Sequence, residues 1–324
     1  MALRNSLFAV SGKASFLDAR RDMSGLFVCD NTTMVPIAGI LDRSQDNLVT
    51  GNSDSMSVTV HPFNAVLNRY GALLVQNDGN TKVPLSAAPS ANARIDVVYV
   101  KQNETRSPMS DGSNSPVFGV VKGTAAATPV APSVPAGALA LAQVLLPAGV
   151  SNTATGGVII TQRYVGAALK GDKLRVWNYA QRDALLPHVP EGTMMHVVSD
   201  NHDYVRKDGK WKFDGLFTEA DMVDKNNAGW NIVQIRGTVK DGIATGFFWF
   251  NRAGDWNNAK PWDGSHVVSL PNYLKATNID SHSTTSISNV LLSIINNNVT
   301  IRPTVARNFG KGEWVSGSFS YQLA

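Results

Sequence analysis

Residues 230–250 of this chain are Trp230-Asn-Ile-Val-Gln-Ile-Arg-Gly-Thr-Val-Lys-Asp-Gly-Ile-Ala-Thr-Gly-Phe-Phe-Trp-Phe250, and they predict the fold class. The segments 230–239 and 243–250 are rich in β-branched and aromatic residues, which favour strands. Lys240-Asp241-Gly242 lies between them, and an Asp-Gly step is a strong signal for a tight hairpin turn. We therefore predict an antiparallel β-hairpin here.

The same kind of segment recurs along the whole chain. Further predicted strands cover residues 56–60, 93–100, 117–121, 157–161, 290–295, 299–301 and 314–323. The strands 290–295 and 299–301 flank Asn296-Asn297-Asn298, which predicts a second hairpin. Residues 138–146 fit either a strand or a helix, because periodicity alone does not separate the two. The chain has 27 Gly, which favours turns, and only 4 Glu, which favours helices. We predict a mostly β protein with a β-sandwich or jelly-roll arrangement.

One segment predicts a helix. Residues 173–186, Lys173-Leu-Arg-Val-Trp-Asn-Tyr-Ala-Gln-Arg-Asp-Ala-Leu-Leu186, have helical propensity and end before Pro187. A helix of about three to four turns is not stable alone in water, so it must pack on other residues. We expect either a short helical neck, packed on copies of itself in an oligomer, or an extended connector.

The tryptophan residues divide the chain into two parts. All seven lie after residue 176, so the first half builds its core from Val, Ile, Leu and Ala and the second half adds aromatics. Two separate cores explain this difference. We predict a joint near residues 165–190.

Composition and charge exclude several functions. The net charge of +4 is spread evenly over the two halves, so we predict no nucleic-acid partner. The longest apolar stretch, 136–150, is too short to cross a bilayer, and we predict no membrane insertion. We expect no secretion signal in residues 1–10, because the apolar run there is short. Cys29 is the one cysteine, and we interpret it as a small buried residue.

An ordered series of motifs spans residues 93–163. Its members are Ala93-Arg-Ile-Asp-Val-Val-Tyr-Val100, Phe118-Gly-Val-Val-Lys-Gly123, Pro129-Val-Ala-Pro132, Leu139-Ala-Leu-Ala-Gln-Val144, Pro147-Ala-Gly149 and Arg163. This series resembles the N-terminal module of tail and baseplate proteins of long-tailed bacteriophages. In those proteins an R-I-D strand is followed by a Pro-rich crossing, an L-A strand, a P-A-G turn and a terminal Arg.

Two shorter segments extend the resemblance. Arg182-Asp-Ala-Leu-Leu-Pro187, Glu191-Gly-Thr193 and Asp208-Gly-Lys-Trp211 are similar to a phage-tail connector, although Lys207 stands where an aromatic is usual. Val267-Val-Ser-Leu-Pro271 and the last predicted strand resemble the distal tip of phage fibres and receptor-binding proteins. The first two resemblances cover about two thirds of the chain.

The resemblance implies a virion component that is assembled in the host cytoplasm and released without a signal peptide. Residues 1–165 would form a β-sandwich-like domain that docks on other tail or baseplate proteins. Residues 166–190 would be a connector or short helical neck, and residues 191–324 an outward domain with a receptor-binding β-sandwich tip from about 226. The resemblance also implies a homo-oligomer, most simply a trimer. The implied function is adsorption to a bacterial surface glycan.

Catalytic and metal-binding motifs are weak in this sequence. Glu219, Asp221 and Asp224 lie close together but resemble the polar face of a short turn or helix, so we predict no catalytic residues. The segment 196–203 offers two His and two Asp without a known metal-binding spacing. We predict no metal site and no cofactor, while a calcium ion held by loop oxygens stays an alternative.

The candidate ligand-binding residues are Trp256, Asn257, Trp262 and Asp263. Aromatic faces provide apolar area, and Asn and Asp provide directed hydrogen bonds, a combination that suits a sugar with its C–H faces and hydroxyls. The alternative is that these indoles fill the core or a subunit interface. A further tryptophan, Trp249, precedes this segment, and for it we favour that alternative.

Three alternatives to glycan attachment stay open. The chain would bind no host cell if it were a purely structural tail or baseplate adaptor. A cell-wall glycan depolymerase would release sugar and need a close carboxylate pair. A protein-receptor binder would lose attachment when the cells are treated with protease.

Overall fold

The computed structural model describes residues 15–41, 46–223, 225, 229–240, 242–277, 281–295 and 297–323, with the side chains of 281–284 not described. Strands make up 46% of the structure and helices 8%, so the predicted mostly β class is confirmed. The chain divides into two compact units at Asn201/His202, later in the sequence than the predicted joint at 165–190.

The first unit contains short strands and two helices. Its elements are α1 (Phe16–Ser24), β1 (Gly39–Ile40), β2 (Val49–Gly51), β3 (Ser57–Val60), β4 (Phe63–Leu67), β5 (Leu73–Asn77), β6 (Thr81–Pro84), β7 (Arg94–Gln102), β8 (Pro116–Val121), β9 (Leu139–Leu146), β10 (Ile159–Gln162), β11 (Lys173–Val176), α2 (Tyr179–Leu185) and β12 (Met194–Val197). They form the sheets β2–β3–β6, β1–β4–β5 and β10–β9–β7–β8, and β11 pairs in parallel with β12.

One aliphatic core joins the three antiparallel sheets of this unit. Val58 and Val60 from β3, Phe63 from β4, Val98 from β7 and Leu141 from β9 are all buried in it. Residues 138–146, which fit either element from sequence, form a strand. Strand β9 lies between β7 and β10, so both of its edges find backbone partners.

A buried ion pair stands at the start of β7. Arg94 is 2% exposed and Asp96 is 0% exposed. The Arg94 guanidinium donates to the Asp96 carboxylate from Nε at 2.9 Å, and its other nitrogens donate to the carbonyls of Ser86 and Ala87 at 2.6 Å. Asp96 also accepts from the Gly123 N–H at 2.9 Å. The Arg-Ile-Asp motif therefore fixes the chain on both sides of β7 through hydrogen bonds that are closed to water.

The prediction of a helix over residues 173–186 is wrong for the first residues of the segment and correct for most of the rest. Lys173–Val176 is β11, and only Tyr179–Leu185 is helical. The helix begins after Asn178, whose side chain accepts from the Gln181 N–H as an N-cap. The β-branched end of β11 instead completes a parallel pair with β12.

Residues 166–190 pack within the first unit rather than forming a separate neck. The Val28 N–H donates to Ala168 at 2.9 Å, and the Asn31 N–H donates to His188 at 2.8 Å. Helix α1 was not predicted. Ser15 and Asp18 form a capping box at its start, and this pair of residues is the signal for the helix in the sequence.

The second unit is built from longer strands. Its elements are β13 (His202–Lys207), β14 (Lys210–Phe213), β15 (Gly215–Thr218), β16 (Trp230–Lys240), β17 (Ile243–Arg252), β18 (Trp256–Ala259), β19 (Ser265–Ser269), β20 (Ser281–Thr284), β21 (Val290–Ile295), β22 (Asn298–Pro303), β23 (Arg307–Phe309) and β24 (Trp314–Gln322). The two large sheets are β15–β16–β17–β24 and β19–β22–β21–β20, and both are antiparallel.

Both predicted hairpins of this unit are confirmed: β16 pairs with β17 and β21 pairs with β22. The buried faces of the two large sheets meet around one small interior gap. It is lined from one side by Ile235, Phe248, Phe250, Phe319 and Tyr321, and from the other by Leu270, Leu292, Ile294 and Val299. The predicted jelly-roll-like arrangement of these strands stays a prediction.

Some predictions fall on residues that are not described. These are the expected lack of a secretion signal in residues 1–10 and the roles of Asp224, Asp241 and Asn296, which all lie outside the described residues. Within the described part of the chain, neither helix is long and apolar enough to cross a membrane.

Candidate functional site

Trp256 forms the outer layer of an aromatic stack in the second unit. Its ring lies 5.1 Å from the Phe309 ring at an interplanar angle of 13°. Phe309 is fully buried and meets Trp230 edge-on at 5.6 Å. The Arg252 guanidinium lies 5.0 Å from the Trp230 ring and 5.8 Å from the Trp256 ring. One face of Trp256 is therefore used for packing.

Arg252 holds this stack together. The side chain is 6% exposed, and its Nε donates to the Gly254 carbonyl at 2.9 Å. Burial lowers the pKa of the Arg252 guanidinium, with Asp255 acting in the opposite direction. A cation placed over aromatic rings and closed to water is a structural device, because it stabilises the ring positions.

The other three predicted residues lie at the surface. Asn257 is exposed in β18, and Trp262 is 54% exposed. Trp262 has a φ of +67°, and its N–H donates to the Pro303 carbonyl at 2.7 Å. Asp263 accepts from the Lys260 N–H at 2.9 Å, which closes the turn at 260–263. Of the four predicted residues, Trp262 is thus the large side chain that a turn presents to solvent.

A second aromatic surface was missed in the sequence. It is the outer face of the sheet β15–β16–β17–β24, that is, the side chains that point away from the interior gap. On β17 and β24 these residues are Ile243, Thr245, Phe247, Trp249, Asn251, Trp314, Ser316, Ser318, Ser320 and Gln322; on β15 and β16 they are Leu216, Thr218, Asn231, Gln234, Arg236, Thr238 and Lys240.

Trp249 and Trp314 dominate the outer face. They are 40% and 53% exposed, and their rings meet edge-on at 6.4 Å and 72°. Trp249 pairs with Ser316 and Asn251 pairs with Trp314, so the indoles are diagonal neighbours on adjacent strands. Trp249 does not lie in the core, because its neighbours Phe248 and Phe250 take the inward positions. The other half of the favoured alternative, a place in a subunit interface, stays a prediction.

A shallow groove of about 450 Å³ lies beside Phe247 on the same sheet. Its outward lining consists of Leu216, Thr218, Arg236, Thr238, Thr245 and Phe247. The hydroxyls of Thr238 and Thr245 lie 3.2 Å apart across the two strands. Aromatic, hydroxyl and guanidinium groups therefore share one surface.

Two glycines lie behind this groove, at inward positions of the sheet. Gly237 and Gly246 are cross-strand partners. A Cβ on Gly237 would lie 2.4 Å from the Phe217 ring, and one on Gly246 would lie 2.5 Å from the Phe319 ring. The rings of Phe217 and Phe319 fill the inner side that these glycines leave empty.

The described part of the acidic cluster, Glu219–Asp221, has a structural explanation. Thr218 and Asp221 form a capping box on the 3-10 helix Glu219–Asp221, and Asp221 accepts from the Thr218 N–H at 2.6 Å. His202 Nε2 lies 3.1 Å from the other Asp221 oxygen. This carboxylate is used to hold a turn, as the sequence pattern indicated.

The segment 196–203, with its two His and two Asp, forms the end of β12, a turn and the start of β13. Over the described residues, no group of three or more His, Cys, Asp and Glu is arranged to hold a metal ion. Cys29 is half-buried, its Sγ donates to the Ser24 carbonyl at 3.1 Å, and burial raises its thiol pKa.

A cavity of about 510 Å³ lies in the first unit. It is bounded by the end of α1, residues 28–34, the turn at 170–172 and residues 190–194. Cations (Arg21, Lys170) and anions (Asp30, Asp172, Glu191) both line it, so its charge selects no ligand class. Burial acts to raise the pKa of Asp30, but hydrogen bonds from Thr33, His188 and Thr32 outweigh it and lower that pKa to about 2.

Comparisons of the chain with protein families, with curated proteins and with solved structures found no significant match.

Proposed function

We propose that this chain is a bacteriophage tail protein that attaches the virion to a saccharide on the bacterial surface. The observation that carries the proposal is the exposure of three indoles on the second unit, Trp249, Trp262 and Trp314. Large apolar rings beside hydroxyl and amide groups are what a sugar needs, and such rings are normally buried. The resemblance of residues 93–163 to phage tail modules supplies the biological setting.

The first unit is proposed to dock on other tail or baseplate proteins. Leu26 and Leu169 are more than half exposed, and the Leu26 carbonyl accepts a backbone hydrogen bond from Lys170, the neighbour of Leu169. Exposed apolar side chains that lie together are typical of protein contact surfaces. This observation equally supports the second candidate function, a structural adaptor that holds another adhesin.

A trimer displayed in several copies suits weak saccharide sites. Linked sites raise the overall avidity without tighter contacts at any one of them, because each further binding event becomes intramolecular. The proposed chemistry needs no reaction step, and we propose no catalytic residue.

The test is the binding of fluorescently labelled full-length protein to a panel of bacterial species. Attachment that is lost after periodate oxidation of the cells, and kept after protease treatment, supports saccharide binding. Attachment that is lost only after protease treatment would show a protein receptor instead. A folded protein that binds no species in the panel would favour the structural adaptor.

A further inference from the structure

We propose that the outer face binds an anionic saccharide, one that carries carboxylate or phosphate groups. This inference rests on the proposed function and assigns its site and ligand class. It moves the main contact from residues 256–263 to the sheet β15–β16–β17–β24.

The aromatic part of the outer face is available for stacking. Trp249 and Trp314 stand nearly perpendicular to one another at 72°, so they form a corner with two apolar walls. Phe247 lies two residues before Trp249 on the same side of β17 and extends this surface towards the groove. Trp256, by contrast, stacks on Phe309 at 5.1 Å and offers less free ring area.

The polar part of the outer face is in register with the aromatic part. Thr218, Arg236, Phe247 and Ser318 are successive cross-strand partners from β15 to β24. The exposed guanidinium of Arg236 can donate a pair of parallel hydrogen bonds to a carboxylate or phosphate. The threonine and serine hydroxyls of the same rows can both donate to and accept from sugar hydroxyls.

Charge selects the ligand class. Among the outward positions that the structure describes, Arg236 and Lys240 are the charged side chains. The Asp221 carboxylate lies at the edge of the face beside Thr218, but it is held there by the Thr218 N–H at 2.6 Å and by His202 at 3.1 Å. Glu219 and Asp241 follow the ends of β15 and β16 in the sequence. A cationic face lined by hydroxyls attracts an anion and repels a second copy of itself.

The candidate at residues 256–263 has no excess of positive charge. It contains one cation, Lys260, and one carboxylate, Asp263, which already accepts from the Lys260 N–H. Its charge therefore does not select an anionic chain.

The experiment uses the full-length protein and affinity electrophoresis in gels that contain one of three polymers. Poly(glycerol phosphate) presents phosphate, alginate presents carboxylate, and dextran is a neutral glucan. We expect binding to at least one of the two acidic polymers and none to dextran. Poly(glycerol phosphate) and alginate, run separately, distinguish the two sources of negative charge.

Variants locate the site. Arg236→Gln and Trp249→Ala should each weaken binding about tenfold or more, since each removes one main contact. Arg236→Lys keeps the charge but not the paired hydrogen bonds, so it should fall between the wild type and Arg236→Gln. Tyr179→Ala, which removes an exposed aromatic side chain of the first unit, is the control and should bind like the wild type. Trp262→Ala tests the alternative site at residues 256–263.

Several results would overturn the inference. Loss of binding in Trp262→Ala alone would return the site to residues 256–263 and leave the proposed function intact. Binding to dextran equal to that of the acidic polymers, or no binding to either acidic polymer, would refute the anionic ligand. If Trp249→Ala changes the oligomeric state in light scattering instead of polymer binding, the outer face is a subunit interface. Periodate-sensitive attachment to cells, measured on the same preparation, shows separately whether the proposed function stands.

Discussion

Replacing Asp96 with Asn should destabilise the first unit by about 3–5 kcal/mol, because it removes one charge of a fully buried pair. Asn keeps the size of Asp and can still accept from the Gly123 N–H, so the change tests charge rather than volume. The Arg94 side chain cannot compensate for the lost carboxylate by turning towards solvent. Two of its nitrogens are committed to the carbonyls of Ser86 and Ala87 at 2.6 Å, and leaving those carbonyls buried and unpaired costs about 1–3 kcal/mol each.

The assay is native-state hydrogen exchange of peptides that cover β7–β9, read as a free energy of opening. Asp54→Asn is the control, because Asp54 forms an exposed ion pair with Lys82 in the same unit. We expect lost protection in Asp96→Asn and unchanged protection in Asp54→Asn. A loss below about 1 kcal/mol in Asp96→Asn would refute the argument that this pair is closed to water.

Three further outcomes are expected. The lowered pKa of Asp30, about 2 in the folded chain against an ordinary 3.8, adds stability above about pH 4 that is lost as the pH falls towards 2; in Asp30→Asn the urea midpoint should fall less between pH 5 and pH 2.5. Gly237→Ala should destabilise the second unit by about 1–3 kcal/mol, because its Cβ would lie 2.4 Å from a phenylalanine ring, whereas Gly254→Ala, with nothing within 4 Å, should not. Trp230→Ala should cost about 3–5 kcal/mol in urea unfolding, and the 40% exposed Trp249→Ala less than about 1 kcal/mol.

Each of these outcomes can also contradict the structure. Equal acid sensitivity of the wild type and Asp30→Asn would mean that the hydrogen bonds to this carboxylate do not survive in solution. Equal effects of the two glycine substitutions would mean that Phe217 does not pack against Gly237. Equal effects of the two tryptophan substitutions would mean that the inner and outer sides of the sheet are wrongly assigned.

The strands could be predicted because their signals are local. The Asp-Gly turn at 241–242 and the alternation in 314–323 each specify a hairpin or a strand face within a few residues. The helix boundary at Asn178 could not be read in the same way. Lys173–Val176 has enough helical propensity to continue the helix, and only its pairing with β12, which lies 18 residues beyond it, makes it a strand.

The candidate site shows a different limit. In 247–250 aromatic residues occupy both faces of the strand, so alternation requires that one pair is exposed but does not say which. The inner choice, Phe248 and Phe250, depends on the second sheet that closes over them. The burial of Arg94 with Asp96 could not be predicted either, because a motif with two charged residues is normally exposed at the surface.

The two-residue period of β24 has a consequence for how this protein can change over generations. Val315, Phe319 and Tyr321 are buried, while Ser316, Ser318 and Ser320 alternate with them and face away from the core. Mutations on the second set leave the interior untouched, so this surface can acquire new chemistry with little loss of stability. A saturation library of residues 314–322 should show tolerance that alternates from one codon to the next.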